Sequence, residues 1–337
     1  MKQSFGLLPD GSEVFLYTIS CGKLTAQVTD LGATLVSLWV PDRHGNTADV
    51  VLGYDDAAGY FTGWSFLGAT VGRNANRIKD GRFCLNGKIH QLATFERGNN
   101  LHSGFDFFHR RLWITERHSE RSVTFRLDSP SGDQGFPGNA VIRVTYTLEY
   151  PSSLRITYHC LSDADTVFNM TNHSYFNLAG HDHPEKAMAQ TLMLPARHFT
   201  PCDPRGIPTG ELRSVAGTPM DFRRPKPVGQ DIDTDYEPLR LAGGYDHNFE
   251  VFCAPCAILC DPESGRTMTV TTDCPGMQLY TGGAAKAVGK GGVAYGSRSA
   301  VCLETQFYPD AVNHPEWKQP FIKANTPSKS ETVFQFD

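Results

Sequence analysis

TNHSYFNL, residues 171–178, sets His173 between asparagines in a stretch otherwise built like a strand. Asparagine is depleted in strands and common in turns, so two readings stay open. Asn172 and Asn177 belong to a loop that satisfies its own backbone, or they hold His173 in a polar pocket wall where it transfers protons. NNLHSG, residues 99–104, carries a second loop histidine, His102, open to the same two readings. GRNANRI, residues 72–78, offers Arg73, Asn74, Asn76 and Arg77, as a solvated edge or as a fork of donors for hydroxyls or a carboxylate. In GGYDHNF, residues 243–249, Asp246 and His247 stand just ahead of a strand, where an Asx-turn is the default and a pocket wall the alternative. In AVCLETQFYPDAVN, alternation puts Glu304 on one strand face with Cys302 and Gln306. A strand glutamate faces solvent, or points into a cleft on a concave sheet, where a tuned pKa makes it a general base.

Other chemistries lose support on spacing. Cys253, Cys256 and Cys260 in FCAPCAILCDP resemble part of a metal or cluster site, but a fourth ligand at supporting spacing is missing. In that apolar segment they read as small buried thiols. HDH at 181–183 lies in a Gly/Pro-flanked loop without the histidine–carboxylate spacing of a zinc enzyme, so no catalytic metal is expected. No G-x-G-x-x-G opens a helix, and neither a Walker A nor a G-x-S-x-G motif occurs, which disfavours dinucleotide, nucleoside triphosphate and serine-hydrolase chemistry. The 31 basic and 36 acidic residues give a net charge of −5 with no long block of either sign, so no footprint for nucleic acid or an anionic membrane is expected. MKQSFGLLPDGSEVF lacks the apolar core of a signal peptide, and no apolar run reaches membrane-spanning length. Nine scattered cysteines then read as free thiols in a reducing compartment, and the expectation is a cytoplasmic protein.

The elements that must position these residues are strands. In AVIRVTYTLEY, Ile142, Val144, Tyr146 and Leu148 alternate with Arg143, Thr145, Thr147 and Glu149; SLRITYHC and SVTFRLD repeat the pattern. That is the pattern of antiparallel strands with one packed and one wet face. Further strands are predicted over 13–20, 24–29, 34–40, 189–194, 248–252, 267–272, 277–281 and 300–307. Turn signals separate them: LNGK, PDG, PDRHGN, SGDQGFPGN, PESGR and GGAAKAVGKGG. With 32 Gly, 21 Pro and no sustained helical period or repeat, the reading is all-β: one large antiparallel β-sandwich domain over residues 1–337.

GRNANRI, NNLHSG, GFPGN, TNHSYFNL, TPMDFR, GGYDHNF, PGMQLYT and LETQFYPDAVN follow one another in this order along the chain. Together they resemble the aldose 1-epimerase (galactose mutarotase) family, over essentially the whole chain from GLLPDGSEVFLYTI onward. The resemblance implies the supersandwich form of the β-sandwich, with a sugar bound in an open cleft on a concave sheet. It places the catalytic base on Glu304, the general acid on His173 and a second histidine, binding the sugar near its ring oxygen, on His102. Arg77 and Asp246 match ligands of sugar hydroxyls, and Asn76 and Gln278 are further contacts. Ser103 stands where many members have Gly. The implied reaction interconverts the α and β anomers of free aldohexoses such as galactose and glucose, with no cofactor, in a monomer or homodimer. Three rivals stay open at this point. A phosphorylated aldose would need a basic cluster, which Arg73, Arg77 and FRRPKP offer. A non-catalytic sugar-binding module would not need Glu304 and His173 together. A glycosidase would use two carboxylates, such as Asp246 and Glu304.

Overall fold

The computed structural model describes residues 1–283 and 286–337. The segments with the clearest alternation form the middle of a nine-stranded sheet: Ser122–Ser129, Ala140–Glu149, Ser153–Ser162, Ser328–Phe336, Thr267–Thr272 and Ala257–Cys260 lie side by side. Ile142 pairs opposite Cys160, Val144 opposite Tyr158 and Tyr146 opposite Ile156, all of them buried. Arg143, Thr145 and Thr147 take the other, half-exposed face. Facing pairs of branched and aromatic side chains are the unit that stabilises such a sheet.

A five-stranded sheet, Lys2–Leu7, Glu13–Cys21, Leu24–Thr29, Thr34–Pro41 and Thr47–Asp49, comes from the N-terminal segment. A second five-stranded sheet holds Arg213–Ser214, His198–Thr200, Asp246–Glu250, Gly276–Tyr280 and Cys302–Gln306. One apolar cluster draws Tyr17 and Val28, Ile142 and Phe334, and Phe249 and Leu303 from all three sheets. The second five-stranded sheet differs from the others because every residue of Cys302–Gln306 is buried. Met277, Leu279 and Leu303 face the apolar core, while Asn248, Gln278 and Glu304 stand in one cross-strand row on the opposite face. That polar face is what the loops must cover.

The α-helices among the described residues are short, Ala57–Thr62 and Glu237–Ala242, and none is long and apolar enough to cross a membrane. The predicted strands recur with shifted ends. The 189–194 segment shortens to Thr191–Met193 because a short 3-10 helix, Pro184–Ala189, runs up to Gln190. The 248–252 segment becomes Asp246–Glu250, and 300–307 becomes Cys302–Gln306. In the GGAAKAVGKGG turn, Ala287–Val288 pairs with Ala294–Tyr295, and Ala284 and Ala285 lie outside the described residues.

The thiols of FCAPCAILCDP need a correction. Only Cys256 is buried; Cys253 is exposed and Cys260 partly exposed. The Ala257–Cys260 strand turns Ala257 and Leu259 inward, so Cys260 faces out, and Cys253 sits in the turn that precedes it. All nine cysteines are free.

Candidate active site

A cleft of about 410 Å³ reaches the polar row at Glu304 and is lined with it by His173, His102, Arg77 and Asp246 and by the aromatic Trp64, Phe66 and Tyr280. His173 reaches it from Thr171–His173, which pairs antiparallel with Ala69–Val71. That short ladder is tied down at Gly68, whose amide donates to the His173 carbonyl and whose carbonyl accepts from Leu35 and from the Asn172 side chain. Gly68 has φ +65°, and a Cβ there would run into the Leu35 carbonyl oxygen, so only glycine lets the chains approach this closely. Asn172 also donates to the Tyr146 hydroxyl, and Asn177 donates to the His183 carbonyl. The asparagines therefore hold the loop and leave the imidazole to other partners. Tyr175, Phe176 and Leu178 anchor it: all are buried, and Phe176 bridges Val51 and Val301.

Glu304 and His173 face one another. Glu304 Oε1 lies 3.6 Å from His173 Nε2, too far for a hydrogen bond, and Oε2 is buried without a hydrogen-bond partner among the described residues. Burial pushes the Glu304 carboxyl well above its ordinary value; the Asp246 charge adds to this and Arg77 opposes it. Burial lowers His173 to about 4, against upward pulls from a hydrogen bond to its own backbone and from Asp246. Both directions favour the uncharged arrangement, a protonated Glu304 beside a neutral imidazole.

His102 completes the group, its ring centroid 5.6 Å from that of His173. Its Nδ1 accepts from the Asn76 amide at 3.2 Å, so the neutral ring carries its proton on Nε2 and donates there. Burial, with His173 and Arg77 nearby, keeps it well below the usual histidine range. Asn76, His102 and Ser103 have φ of 60°, 51° and 63°, a left-handed run that non-glycine residues enter at a cost. Hydrogen bonds offset it. Ser103 Oγ accepts from the Asn74 amide and donates to the Asn74 carbonyl, at 2.9 and 3.0 Å. The serine in NNLHSG is thus a pin for the loop.

Arg77, Asp246 and Gln278 form the opposite wall. Arg77 makes a two-pronged contact with Glu96, at 2.9 and 3.2 Å, and lies 3.8 Å from Asp246. Burial works against its charge, but Asp246 and Glu96 outweigh burial and keep the guanidinium protonated. Asp246 accepts from Gln278 Nε2 at 2.6 Å. The Asx-turn expected for Asp246 is absent because the residue begins its strand and spends its carboxylate across the sheet.

All seven site candidates from the sequence, Glu304, His173, His102, Arg77, Asn76, Asp246 and Gln278, are in this cleft or bonded to its wall. Arg73 is not. It is fully buried and donates to Ser129, Pro130, Pro137, Gly138 and Thr166, pinning the SGDQGFPGN loop. The cations of FRRPKP line a separate surface hollow with Asp221 and Asp231. Among the described residues no basic cluster for a phosphorylated sugar is assembled in the cleft, where Arg77 and Arg97 are both paired with Glu96. Sequence reasoning missed Glu96, Arg97, Trp64 and Phe66; TGWSF held an aromatic signal, whereas Glu96 stands in a loop with no motif. It also missed that His173, Cys302 and Glu304 bring nitrogen, sulfur and oxygen atoms within 4.8 Å of one another, a set the no-metal expectation had not weighed.

The fold and the site are those of a β-sandwich whose buried carboxylate faces histidines over the polar face of a sheet. The chain belongs to the aldose 1-epimerase family, whose model matches residues 16–335. It is 38% identical to a galactose mutarotase of Bos taurus, with 98% of this chain and 97% of the relative covered. It is 39% identical to an aldose 1-epimerase of Haemophilus influenzae, with 94% of each covered. An aldose epimerase homologue from C. elegans superposes with a TM-score of 0.87 at 31% identity, over 96% of this chain and 98% of that one.

Proposed function

We propose that the cleft opens and recloses the ring of a free aldohexose such as galactose or glucose, with Glu304 as base and His173 as acid. Interconversion of aldose anomers is the activity of the family to which the chain belongs. Both oxygens that exchange protons hang on the anomeric carbon, so the acid and base must be neighbours. The 3.6 Å separation of Glu304 Oε1 and His173 Nε2 is the observation that carries this reading. Ionised Glu304 takes the proton of the anomeric hydroxyl while His173, protonated, gives one to the ring oxygen. The C1–O5 electron pair leaves with O5, C1 becomes an aldehyde carbon, and rotation about C1–C2 presents its other face. Reclosure returns the O5 proton to His173 and the Glu304 proton to O1.

The proton count of the pair never changes, but its charge does. The closed sugar faces a carboxylate and an imidazolium; the open sugar faces a neutral acid and a neutral imidazole. Burial penalises the charged arrangement and so favours the ring-opened side of the reaction, where the chemistry needs help. His102, donating from Nε2, binds near the ring oxygen, and Arg77, Asn76, Asp246 and Gln278 hold the sugar's hydroxyls. No metal or nucleotide enters these steps. The reading places the protein in the cytoplasm, in hexose and galactose metabolism.

Polarimetry of freshly dissolved α-D-galactose tests it. Wild-type protein should speed the decay of rotation, and Glu304→Gln should not. Acceleration that survives in Glu304→Gln would remove the base assignment and leave the activity.

A further inference from the structure

We propose that the Cys302 thiol is a positioning residue for His173: it accepts the Nδ1 proton, so that Nε2 alone exchanges protons with the sugar. This rests on the acid assignment above. Cys302 and Glu304 are alternate residues of one strand and share a face. Between them they address both ring nitrogens, with Glu304 Oε1 3.6 Å from Nε2 and Cys302 Sγ 3.7 Å from Nδ1. The thiol is fully buried and His173 is 5% exposed, so solvent does not replace either partner. Tyr175 stacks along the ring at 5.0 Å and Tyr280 meets it edge-on at 5.9 Å, which leaves the imidazole little freedom to turn over.

The direction of the bond follows from the chemistry on the other side. A carboxyl that has taken a proton faces Nε2 and calls for a lone pair there, which puts the ring proton on Nδ1. Through the proposed cycle Nε2 loses and regains a proton, so Nδ1 must stay protonated throughout; the ring also bonds to its own backbone, and the one side-chain partner of Nδ1 among the described residues is the sulfur. Burial and the nearby Glu304 and Asp246 charges hold the thiol protonated, so it accepts through a sulfur lone pair. Sulfur is a weak acceptor. A carboxylate at this position would bind the imidazolium tightly and spoil it as an acid. The thiol orients the ring without stabilising its charge.

Nitrogen-15 NMR of histidine-labelled protein at pH 7 reads the tautomer directly, with the His173 signals assigned by their loss in His173→Asn. A proton on Nδ1 and a bare Nε2 are expected; a proton on Nε2 would overturn the proposal. Cys302→Ala should lower kcat by about 10-fold or more with KM nearly unchanged, by analogy with the scale for losing the outer partner of a metal-bound histidine. Cys302→Ser, which keeps an acceptor, should recover most of kcat. Wild-type kcat in Cys302→Ala, a change confined to KM, or no recovery in Cys302→Ser would each overturn it. The NMR measurement needs no turnover, so it separates this proposal from the assignment of His173: near wild-type turnover in His173→Asn would remove the acid assignment itself.

Discussion

Residue by residue, the cleft works by withholding water from charge. Glu304 and His173 have ordinary pKa values of 4.5 and 6.5, which in water would make an ionised carboxylate and a half-protonated imidazole near neutrality. Burial moves the first up and the second down to about 4, so one proton is shared across a wide pH range. The acid limb of kcat/KM marks the entry of a second proton, which leaves no base. It should therefore lie near 4, with activity retained at pH 5.5; a half-loss near 6.5 in polarimetric rates measured from pH 4 to 8 would contradict it. His173→Asn should lose on the order of 10² to 10⁴-fold in kcat, the ordinary contribution of a general acid, with the melting temperature little changed. These residues were named from their types and motifs. Their environment was not, because desolvation depends on neighbours that are distant in sequence.

Elements rather than residues decide how firmly these groups are held. The left-handed run at His102 and Ser103 persists because one hydroxyl satisfies both backbone groups of Asn74. Ser103→Ala should cost about 1–3 kcal/mol in urea unfolding, since it leaves a buried amide and carbonyl without partners. Ser103→Gly should cost less, because glycine recovers about 1 kcal/mol by accepting a positive φ freely. If the two variants unfold alike, the backbone strain does not matter. Strands with one wet face, such as Ala140–Glu149, were legible because alternation records a half-buried surface. Cys302–Gln306 was legible only in part: with both faces buried, the side of the strand that meets the cleft is set by its pairing with Gly276–Tyr280. The alternatives that their own segments left open for Arg73 and Asp246 could not be decided there for a related reason. A polar residue's partner lies on another element, and residue type alone does not say whether that partner is a loop carbonyl or a substrate.

At the scale of the whole molecule, an apolar cluster shared by three sheets leads us to expect one cooperative unfolding transition across residues 1–337, checked by coincident fluorescence and far-ultraviolet melts. Its midpoint should fall between pH 7 and pH 5. His102, His109, His173 and His247 are held neutral by burial, His109 down to about 3 and His173 and His247 to about 4, yet each takes a proton below about 6.5 when unfolded. The unfolded state then binds more protons, and stability drops as pH falls through that window. Asp30, raised to about 6, with Glu304 and Asp310, acts in the opposite sense, because each is protonated in the fold before it would be in the open chain. The four histidines outweigh these three acids, and His90, His159 and His181 add to their side. A midpoint higher at pH 5 than at pH 7 would reverse that balance. The amino-acid sequence by itself determined the all-β class, the order of most strands and, through motif resemblance, which residues meet in one cleft, since periodicity and motifs are local properties of the chain. Only the tertiary structure decided that Arg73 pins a loop, that Glu96 holds Arg77, and that Cys302 stands behind His173. Those contacts join positions up to 129 residues apart, and which groups lose water, and hence which protons move, is settled only when the sheets close over them.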